Sequence, residues 1–132
     1  MTSKVIYLGD LRTESTHVQS GSKIVSDAPT DNNGKGEAFS PTDTVANALA
    51  TCMFTIMGIK ARDMGVNLDG STAEVTKHMQ QSPRMISKIE VVFNMKGIAD
   101  DKTRTILERA AMTCPVYLSL HPDIKKEVTF NW

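Results

Sequence analysis

The helical pattern at residues 40–62, SPTDTVANALATCMFTIMGIKAR, constrains the fold of this chain more than any other feature. Its start is well marked. Ser40 is a favourable N-cap, Pro41 suits the first helical position, and Asp43 stands where a capping-box acid would sit. No charged residue occurs between Asp43 and Lys60, and more than half of the circumference is apolar when the segment is wound as a helix. The pattern therefore predicts a long central helix that is buried on most sides.

Winding this helix also predicts which side chains face the core. The apolar seam comprises Val45, Leu49, Cys52, Ile56 and Ile59, and it is widened by Ala46, Ala50, Met53 and Met57. The segment is too short and too rich in Thr and Asn for a convincing membrane span. Its apolar surface exceeds what one small sheet can cover, so we expect a second subunit to complete the core, as a homodimer.

The remaining patterns are mostly those of strands. Alternating residues predict strands at 5–8, 13–18, 23–26, 72–79, 85–96 and 127–132, with a hairpin turn at 19–22. Residues 27–39 form a predicted loop, residues 100–113 a second helix, and residues 117–124 an irregular segment. This order predicts an α+β fold with antiparallel sheet, and 132 residues without a linker or repeat predict one domain, 1–132.

Composition argues against several classes of protein. The formal net charge is zero, whereas a general binder of nucleic acid or of anionic membranes should be basic. The N-terminal residues lack the charged and apolar blocks of a signal peptide, so we expect a cytoplasmic protein. A permanent disulfide would be uncommon there. The two cysteines are then either plain buried residues or a redox pair.

Cys52 lies in the middle of the predicted central helix, well beyond the first turn, where the helix N-terminus cannot stabilise a thiolate. A reactive Cys52 therefore needs a nearby cation. Arg12 is the N-terminal candidate, and an acid such as Asp43 could hold its guanidinium by a bidentate contact. Asp43 and Cys52 are separated by roughly 13 Å along one helix axis and point to opposite faces. An antiparallel partner helix could bring Asp43 and Arg12 of one subunit toward Cys52 of the other.

Plainer interpretations of the same residues stay open. A cysteine on an apolar helix face is usually an inert small hydrophobe, and this applies to Cys52 and to Cys114. Cys114 precedes Pro115, so it should sit at the end of the second helix. Asp43 could be only a helix cap, and Arg12 only a solvated turn residue. The three histidines show no metal-ligand spacing with each other or with the cysteines, so no metal site is expected.

Two segments, FSPTDTVANALATC and ERAAMTCPV, together with SDAP before them, resemble the OsmC/Ohr family of osmotically induced and organic-hydroperoxide-resistance proteins. The resemblance implies an intertwined homodimer, with curved antiparallel sheets around a long central helix. It also implies a peroxidatic Cys52 and a resolving Cys114, with Cys52 activated by an arginine, best matched by Arg12, and by an acid. The hydroperoxide-resistance branch carries glutamate where this chain has Thr42, and Asp43 follows one place later. In this respect the chain resembles a less characterised OsmC-like branch.

The function that this resemblance implies is a stress-response, antioxidant thiol peroxidase that reduces organic, fatty hydroperoxides. Cys52 would form a sulfenic acid, Cys114 would close a disulfide, and an external dithiol such as a lipoylated protein would reduce it, without a bound cofactor. One alternative is a non-catalytic dimer that binds a small apolar ligand at the subunit interface. A third hypothesis is a thiol-transfer or detoxification enzyme that uses Cys52 with another electrophile.

Overall fold

The computed structural model describes residues 1–97 and 99–132, which form two compact units, Met1–Val45 and Ala46–Trp132. Each unit has its own three-stranded sheet. The prediction of a single domain over residues 1–132 stays a prediction. The α+β class is confirmed, with two small sheets and a long helix.

The first unit is an antiparallel sheet in the order β1-β2-β3, with β1 at Ser3–Gly9, β2 at Arg12–His17 and β3 at Lys23–Asp27. The three predicted N-terminal strands are therefore confirmed. Asp10 and Leu11 make the tight β1–β2 turn with left-handed φ angles of 50° and 62°. The register of the second hairpin places Arg12 directly opposite Asp27. A single 3-10 turn, Thr30–Asn32, interrupts the loop that follows.

The predicted central helix is confirmed as α1, Pro41–Asp63. Its buried residues are Ala46, Leu49, Ala50, Met53, Met57 and Ala61. Of the predicted seam, Leu49 is buried, Cys52 and Ile56 are half-buried, and Val45 and Ile59 are 39% and 47% exposed in the single chain. The reason is that the sheet of the second unit covers the Leu49–Met53 side of α1, which leaves the Val45–Ile59 side uncovered. By length and hydropathy α1 would also pass as a membrane span, a test that core helices of soluble proteins pass as well.

The second unit holds a sheet in the order β4-β5-β6, formed by Thr72–Gln80, Met85–Asn94 and Lys125–Asn131. β4 and β5 are antiparallel as predicted, but β5 and β6 are parallel, so the prediction of antiparallel sheet is wrong for this last pair. The cause is the long connection between β5 and β6, which carries two helices and lets the chain cross over before it pairs again.

These two helices are α2, Asp101–Ala111, and α3, Pro115–Ser119. The second predicted helix is confirmed, although it ends two residues early. Asp100 caps it by accepting a hydrogen bond from the Thr103 amide at 2.7 Å. The predicted irregular segment is corrected at its start, because Pro115 opens a further short helix instead of only ending the previous one.

The core of the second unit lies between α1 and the buried face of β5. Ile89, Val91, Phe93 and Met95 are buried on that face, as their alternation predicted. Phe93 is the largest fully buried side chain. Its ring meets Phe54 of α1 edge-on, with centroids 4.7 Å apart, and stacks on Phe130 of β6 at 5.1 Å. Phe93 therefore joins the helix to two neighbouring strands.

Truncation of Phe93 tests this arrangement. Phe93→Ala should lower the free energy of unfolding by about 3–5 kcal/mol, because it leaves a cavity and removes two aromatic contacts. Urea unfolding followed by circular dichroism measures this change. Thr129→Ala, at an exposed position on β6, is the matched control and should change the same quantity by no more than about 0.5 kcal/mol. A loss below about 1 kcal/mol for Phe93→Ala would contradict the assigned core.

Candidate functional site

Cys52 lies in the middle of α1, at the border of its buried face. Its side chain is half-buried and packs against the hydrophobic core of the second unit. The residues on either side differ sharply in exposure, since Thr51 is exposed and Met53 is fully buried. Cys52 is therefore embedded in apolar surroundings and still accessible from one side.

Cys114 lies at the corner between α2 and α3 and is fully buried. Its backbone is extended, as expected for a residue before proline, and it is the N-cap of α3. The Sγ atom accepts a hydrogen bond from the Tyr117 amide at 3.2 Å. The prediction that Cys114 stands at a helix terminus is thus refined: it closes the connection from α2 and opens α3.

The structure brings the two cysteines together in the core of the second unit, and each is a free thiol. Burial raises the pKa of the Cys114 thiol, and the neighbouring Cys52 side chain raises it further. Hydrogen bonds from the amides of Tyr117 and Val116 act in the opposite direction. Cys114 is therefore a poor candidate for the first nucleophile, because it is buried and its thiolate form is disfavoured.

A disulfide between these two residues would join the middle of α1 to the α2–α3 corner. The cysteines are 62 positions apart in sequence, and they have no CxxC-type local motif. Their proximity is created by the packing of the second unit. The arrangement suits a thiol that reacts with an electrophile and a second thiol that displaces the product, because one is accessible and the other is protected beside it.

Arg12, in the first unit, stands at the start of β2 with its side chain 35% exposed. Its guanidinium makes a bidentate contact with Asp27: Nε donates to Oδ1 and Nη2 donates to Oδ2, each at 2.8 Å. Nη2 also donates to Oε2 of Glu37 at 2.9 Å. The prediction that a carboxylate holds Arg12 by a bidentate contact thus has a counterpart in the structure, made by Asp27.

The electrostatics of this cluster follow from its geometry. The hydrogen bonds from Arg12 hold the pKa of Asp27 below its usual range, against the opposing effect of burial. Asp27 and Glu37 in turn raise the pKa of Arg12 further above its already high value. One positive charge thus faces two carboxylates, and the contact with Arg12 favours the ionised form of Asp27 although its side chain is only 2% exposed.

Asp43 lies in the first turn of α1 and makes the predicted capping box. Its backbone amide donates to Oγ of Ser40, and its carboxylate accepts from the Ser40 amide, each at 3.0 Å. The capping part of the prediction is confirmed. The catalytic part stays a prediction, as it does for Arg12, Cys52 and Cys114.

The sequence does not single out Asp27 or Glu37, because residues 27–39 lack periodicity and are predicted only as a loop. The hairpin register carries the information that was needed, since it pairs Arg12 with Asp27 across two strands. A turn centred on residues 19–22 would instead have paired Arg12 with Pro29. Glu37 could not have been found by pairing, because it follows β3 on an irregular segment.

The histidines have separate partners. His78 contacts Glu90 at 2.7 Å, His17 contacts Ser20 at 2.6 Å, and His121 lies near Asp123. Within the residues that the structure describes, no group of three or more His, Cys, Asp or Glu side chains could hold a metal ion.

Comparison with known proteins identifies relatives of the whole chain. A family model described as OsmC-like protein matches residues 34–129. A crystal structure from Psychrobacter arcticus 273-4, provisionally described as an osmotic stress induced and detoxification response protein, is 53% identical over 99% of this chain and 96% of that chain, with a TM-score of 0.96. None of the curated proteins matches.

More distant structures share the fold. The organic hydroperoxide resistance protein OsmC from Legionella pneumophila is 15% identical over 100% of this chain and 98% of that chain, with a TM-score of 0.73. An organic hydroperoxide resistance protein from Elizabethkingia anophelis is 14% identical over 99% and 96%, with a TM-score of 0.72. At these identities the likeness establishes the fold alone.

The different exposure of the two thiols gives a direct test. Iodoacetamide added to the native, reduced protein should modify Cys52 at least about tenfold faster than Cys114, because Cys114 is buried and its thiolate is disfavoured. Mass spectrometry of proteolytic peptides over a time course measures the two rates. In urea the difference should disappear, which serves as the control. Modification of Cys114 first would contradict the assignment of Cys52 as the accessible thiol.

Proposed function

This chain belongs to the OsmC family, and from that premise we propose that it is a thiol-dependent peroxidase that reduces organic, fatty hydroperoxides. The observation that supports this most is the adjacent pair of free cysteines, one accessible on α1 and one buried at the α2–α3 corner. The family includes proteins named for organic hydroperoxide resistance.

In the first step the Cys52 thiolate attacks the outer oxygen of the hydroperoxide. An S–O bond forms, the O–O bond breaks, and the leaving alkoxide takes a proton to become an alcohol. Cys52 is oxidised to a sulfenic acid, and the hydroperoxide is reduced by two electrons. The apolar surroundings of Cys52 favour a greasy substrate over hydrogen peroxide.

In the second step Cys114 displaces the sulfenic oxygen. Its sulfur attacks the sulfur of Cys52, an S–S bond forms, the S–O bond breaks, and water leaves with the thiol proton. The burial of Cys114 has an advantage here, because a thiol that ionises poorly stays out of the first step. An external dithiol such as a lipoylated protein then reduces the disulfide by thiol–disulfide exchange and is itself oxidised.

In the proposed dimer, Arg12 of one subunit supplies the cation that favours the Cys52 thiolate of the other, and Asp43 is the acid that we assign to hold that arginine. Thr42 stands where the hydroperoxide-resistance branch carries glutamate, so the acid in this chain comes from another position. The proposed cycle needs no bound metal or organic cofactor, because the two thiols and the external dithiol account for every electron.

The active form that we propose is a cytoplasmic, intertwined homodimer with curved sheets. Support comes from apolar side chains that a single chain leaves exposed. On β1, both faces are apolar and more than half exposed, through Val5, Ile6, Tyr7 and Leu8. A strand that is apolar on both faces is unusual at a protein surface and calls for a partner to cover it.

The alternative, a non-catalytic dimer that binds a small apolar ligand, has one observation in its favour. The first unit contains a cavity of about 240 Å³, lined mainly by apolar atoms of Tyr7, Leu11, Ala28, Pro29 and Pro41. This volume is below the usual range for a drug-sized ligand. The peroxidase is therefore preferred.

Single-turnover oxidation tests the peroxidase. One equivalent of cumene hydroperoxide should convert the reduced protein within seconds to a form lighter by two hydrogens, with an intramolecular Cys52–Cys114 disulfide and stoichiometric cumyl alcohol. Intact-protein mass spectrometry and chromatography measure the two products. Cys114→Ser should stop at the sulfenic acid, which dimedone traps, and Cys52→Ser should form no alcohol. If both thiols stay free under excess hydroperoxide, the peroxidase is excluded.

A fluorescent apolar probe separates the alternative from the peroxidase. Under the alternative, Cys52→Ser should bind such a probe as tightly as the wild type, since no thiol chemistry is involved. If the protein is a peroxidase, cumene hydroperoxide and the probe should compete for binding beside the reactive Cys52 thiol. Equal probe affinity in the two proteins, together with no alcohol formed by the wild type, would favour the non-catalytic dimer.

A further inference from the structure

We propose that the short helix α3, Pro115–Ser119, is a redox-dependent element: the sulfur of reduced Cys114 holds its first turn, and the Cys52–Cys114 disulfide releases it, so that Cys114 becomes accessible to the external dithiol. The inference rests on the proposed function, since the disulfide is part of the peroxidase cycle. In that cycle the opening of α3 comes between the formation of the disulfide and its reduction. All the residues involved lie in the second unit.

The first support is that Cys114 caps α3 through its side chain. Its Sγ atom accepts a hydrogen bond from the Tyr117 amide at 3.2 Å, in the place where an N-cap oxygen usually binds. A helix of five residues contains only one pair of residues four positions apart, Pro115 and Ser119. Such a short helix depends on bonds to its flanking residues, because a single turn is costly to form. The Cys114 cap is therefore one of the bonds on which the first turn of α3 depends.

The second support is that this cap is weak and α3 is lightly attached. The side chains of Ser, Thr, Asp and Asn cap helices well, and sulfur is a weaker acceptor than oxygen. Val116 and Tyr117 are half-buried and pack against the core, whereas Pro115, Leu118 and Ser119 are exposed. Elements with few buried apolar contacts open at the lowest cost in a folded protein. α3 is therefore suited to a local opening that leaves the core of the second unit intact.

Formation of the disulfide draws the acceptor away from the helix. A bond between two sulfurs is shorter than the contact between two free thiols, so at least one sulfur must move toward the other. Cys52 stands in the middle of α1, where the helix limits its side-chain rotamers. Cys114 stands at the corner between α2 and α3. We therefore expect the Cys114 sulfur to make most of the movement, away from the Tyr117 amide.

The chemistry of thiol–disulfide exchange gives the opening of α3 a use. An attacking thiolate binds one sulfur of a disulfide and expels the other, and a thiol that ionises poorly is a poor leaving group. Burial raises the pKa of Cys114, so its expulsion from the closed structure is unfavourable. Attack on the Cys114 sulfur itself avoids this, but Cys114 is fully buried while α3 is in place. Release of α3 permits that attack.

Reduction of the released disulfide then takes two steps. One thiolate of the external dithiol attacks Cys114 Sγ: an S–S bond forms between them, the Cys52–Cys114 bond breaks, and its electron pair stays on Cys52 as a thiolate. The second thiol of the dithiol attacks its own bound sulfur, and Cys114 leaves and takes the proton of that thiol. The dithiol is oxidised to a disulfide, and the protein is reduced by two electrons. Cys114 Sγ can then accept from the Tyr117 amide again, which closes α3.

The competing explanation is that the contact between Cys114 Sγ and the Tyr117 amide is incidental. α3 would then be held by the Tyr117 ring, which lies 5.2 Å from the Lys126 ammonium, and by the contact of Val116 with the core. The two explanations differ in the oxidised protein. If the sulfur holds α3, the Tyr117 and Leu118 amides lose protection from hydrogen exchange when the disulfide forms. If it does not, their protection is the same in both redox states.

The test measures amide hydrogen exchange of residues 115–120 by mass spectrometry in the full chain, before and after oxidation by diamide. Diamide takes two electrons and two protons from the thiols and becomes a hydrazine, so the disulfide forms without any peroxidase activity. Peptides from α2, Asp101–Ala111, and from β5, Met85–Asn94, are the internal controls. Cys52→Ser is the control for the oxidant, because it cannot form the Cys52–Cys114 disulfide.

Exchange in residues 115–120 should become at least about tenfold faster in the disulfide form and stay within about twofold in both control peptides. Diamide should not change it in Cys52→Ser. Without oxidation, Cys114→Ala should exchange faster than the wild type at these residues, since it lacks the cap, and Cys114→Ser no faster, since a hydroxyl caps well. Equal exchange in the two redox states of the wild type would overturn the proposal, as would full protection of α3 in Cys114→Ala.

Access to Cys114 is tested by trapping. The diamide-oxidised protein is treated with 2-mercaptoethanol while iodoacetamide alkylates each thiol that is set free, and the peptides are mapped by mass spectrometry. Attack on Cys114 should leave 2-mercaptoethanol bound to Cys114 and the acetamide group on Cys52. The reverse pattern would mean that the Cys52 sulfur is attacked first, and it would overturn the proposed access.

Oxidation by diamide also separates this proposal from the peroxidase. If the wild type does not react with cumene hydroperoxide but its diamide disulfide opens α3, the peroxidase fails and the redox-dependent helix stands. If hydroperoxide forms the disulfide and α3 stays protected, only the redox-dependent helix fails. If diamide forms no Cys52–Cys114 disulfide, the redox-dependent helix fails together with the resolving step of the peroxidase.

Discussion

The packing of α1 against the inner face of β5 is the interaction on which the rest of the second unit depends. Leu49, Met53 and Met57 of the helix meet the buried side chains of that strand, and Phe93 extends the contact to Phe54 and Phe130. Burial of apolar side chains is the main favourable term in folding. Because the interior is close-packed, few other arrangements of the helix on the strand would fit. This packing fixes the rotation of α1, and thereby the half-buried position of Cys52 at the border of the packed face.

The same core gives the two cysteines opposite properties. Cys114 is brought next to Cys52 because the α2–α3 connection, which lies between β5 and β6 along the chain, packs onto the core, where burial disfavours the Cys114 thiolate. At the N-cap of α3, its sulfur also satisfies the Tyr117 amide. A redox pair needs this asymmetry, since two equally reactive thiols side by side would compete for the same hydroperoxide. In this fold the order of the two proposed steps follows from packing, before any cation is considered.

Where the structure agrees with the sequence, the deciding information is local. The Ser40–Asp43 capping box lies within four residues, and the alternation of Ile89, Val91 and Phe93 within five, so each could be recognised from the pattern alone. Where the structure differs from the sequence-based prediction, the deciding information lies in residues that are far apart along the chain. The parallel pairing of β6, and the helix that Pro115 opens, depend on how a crossover packs. The face of α1 that is buried depends on which sheet reaches it. The Arg12–Asp27 pair depends on a hairpin register, and a turn misplaced by one residue shifts the partner of Arg12 by two positions.

The two carboxylates on Arg12 differ in what their displacement would cost. Removal of Asp27 from the guanidinium would leave a buried charge unpaired, which is among the more unfavourable changes in a folded protein. Displacement of Glu37 would return a mostly exposed side chain to water at little cost. With both in place, one guanidinium faces two carboxylates. Its orientation therefore depends on Asp27, whereas the charge that it can offer depends on how readily Glu37 gives way.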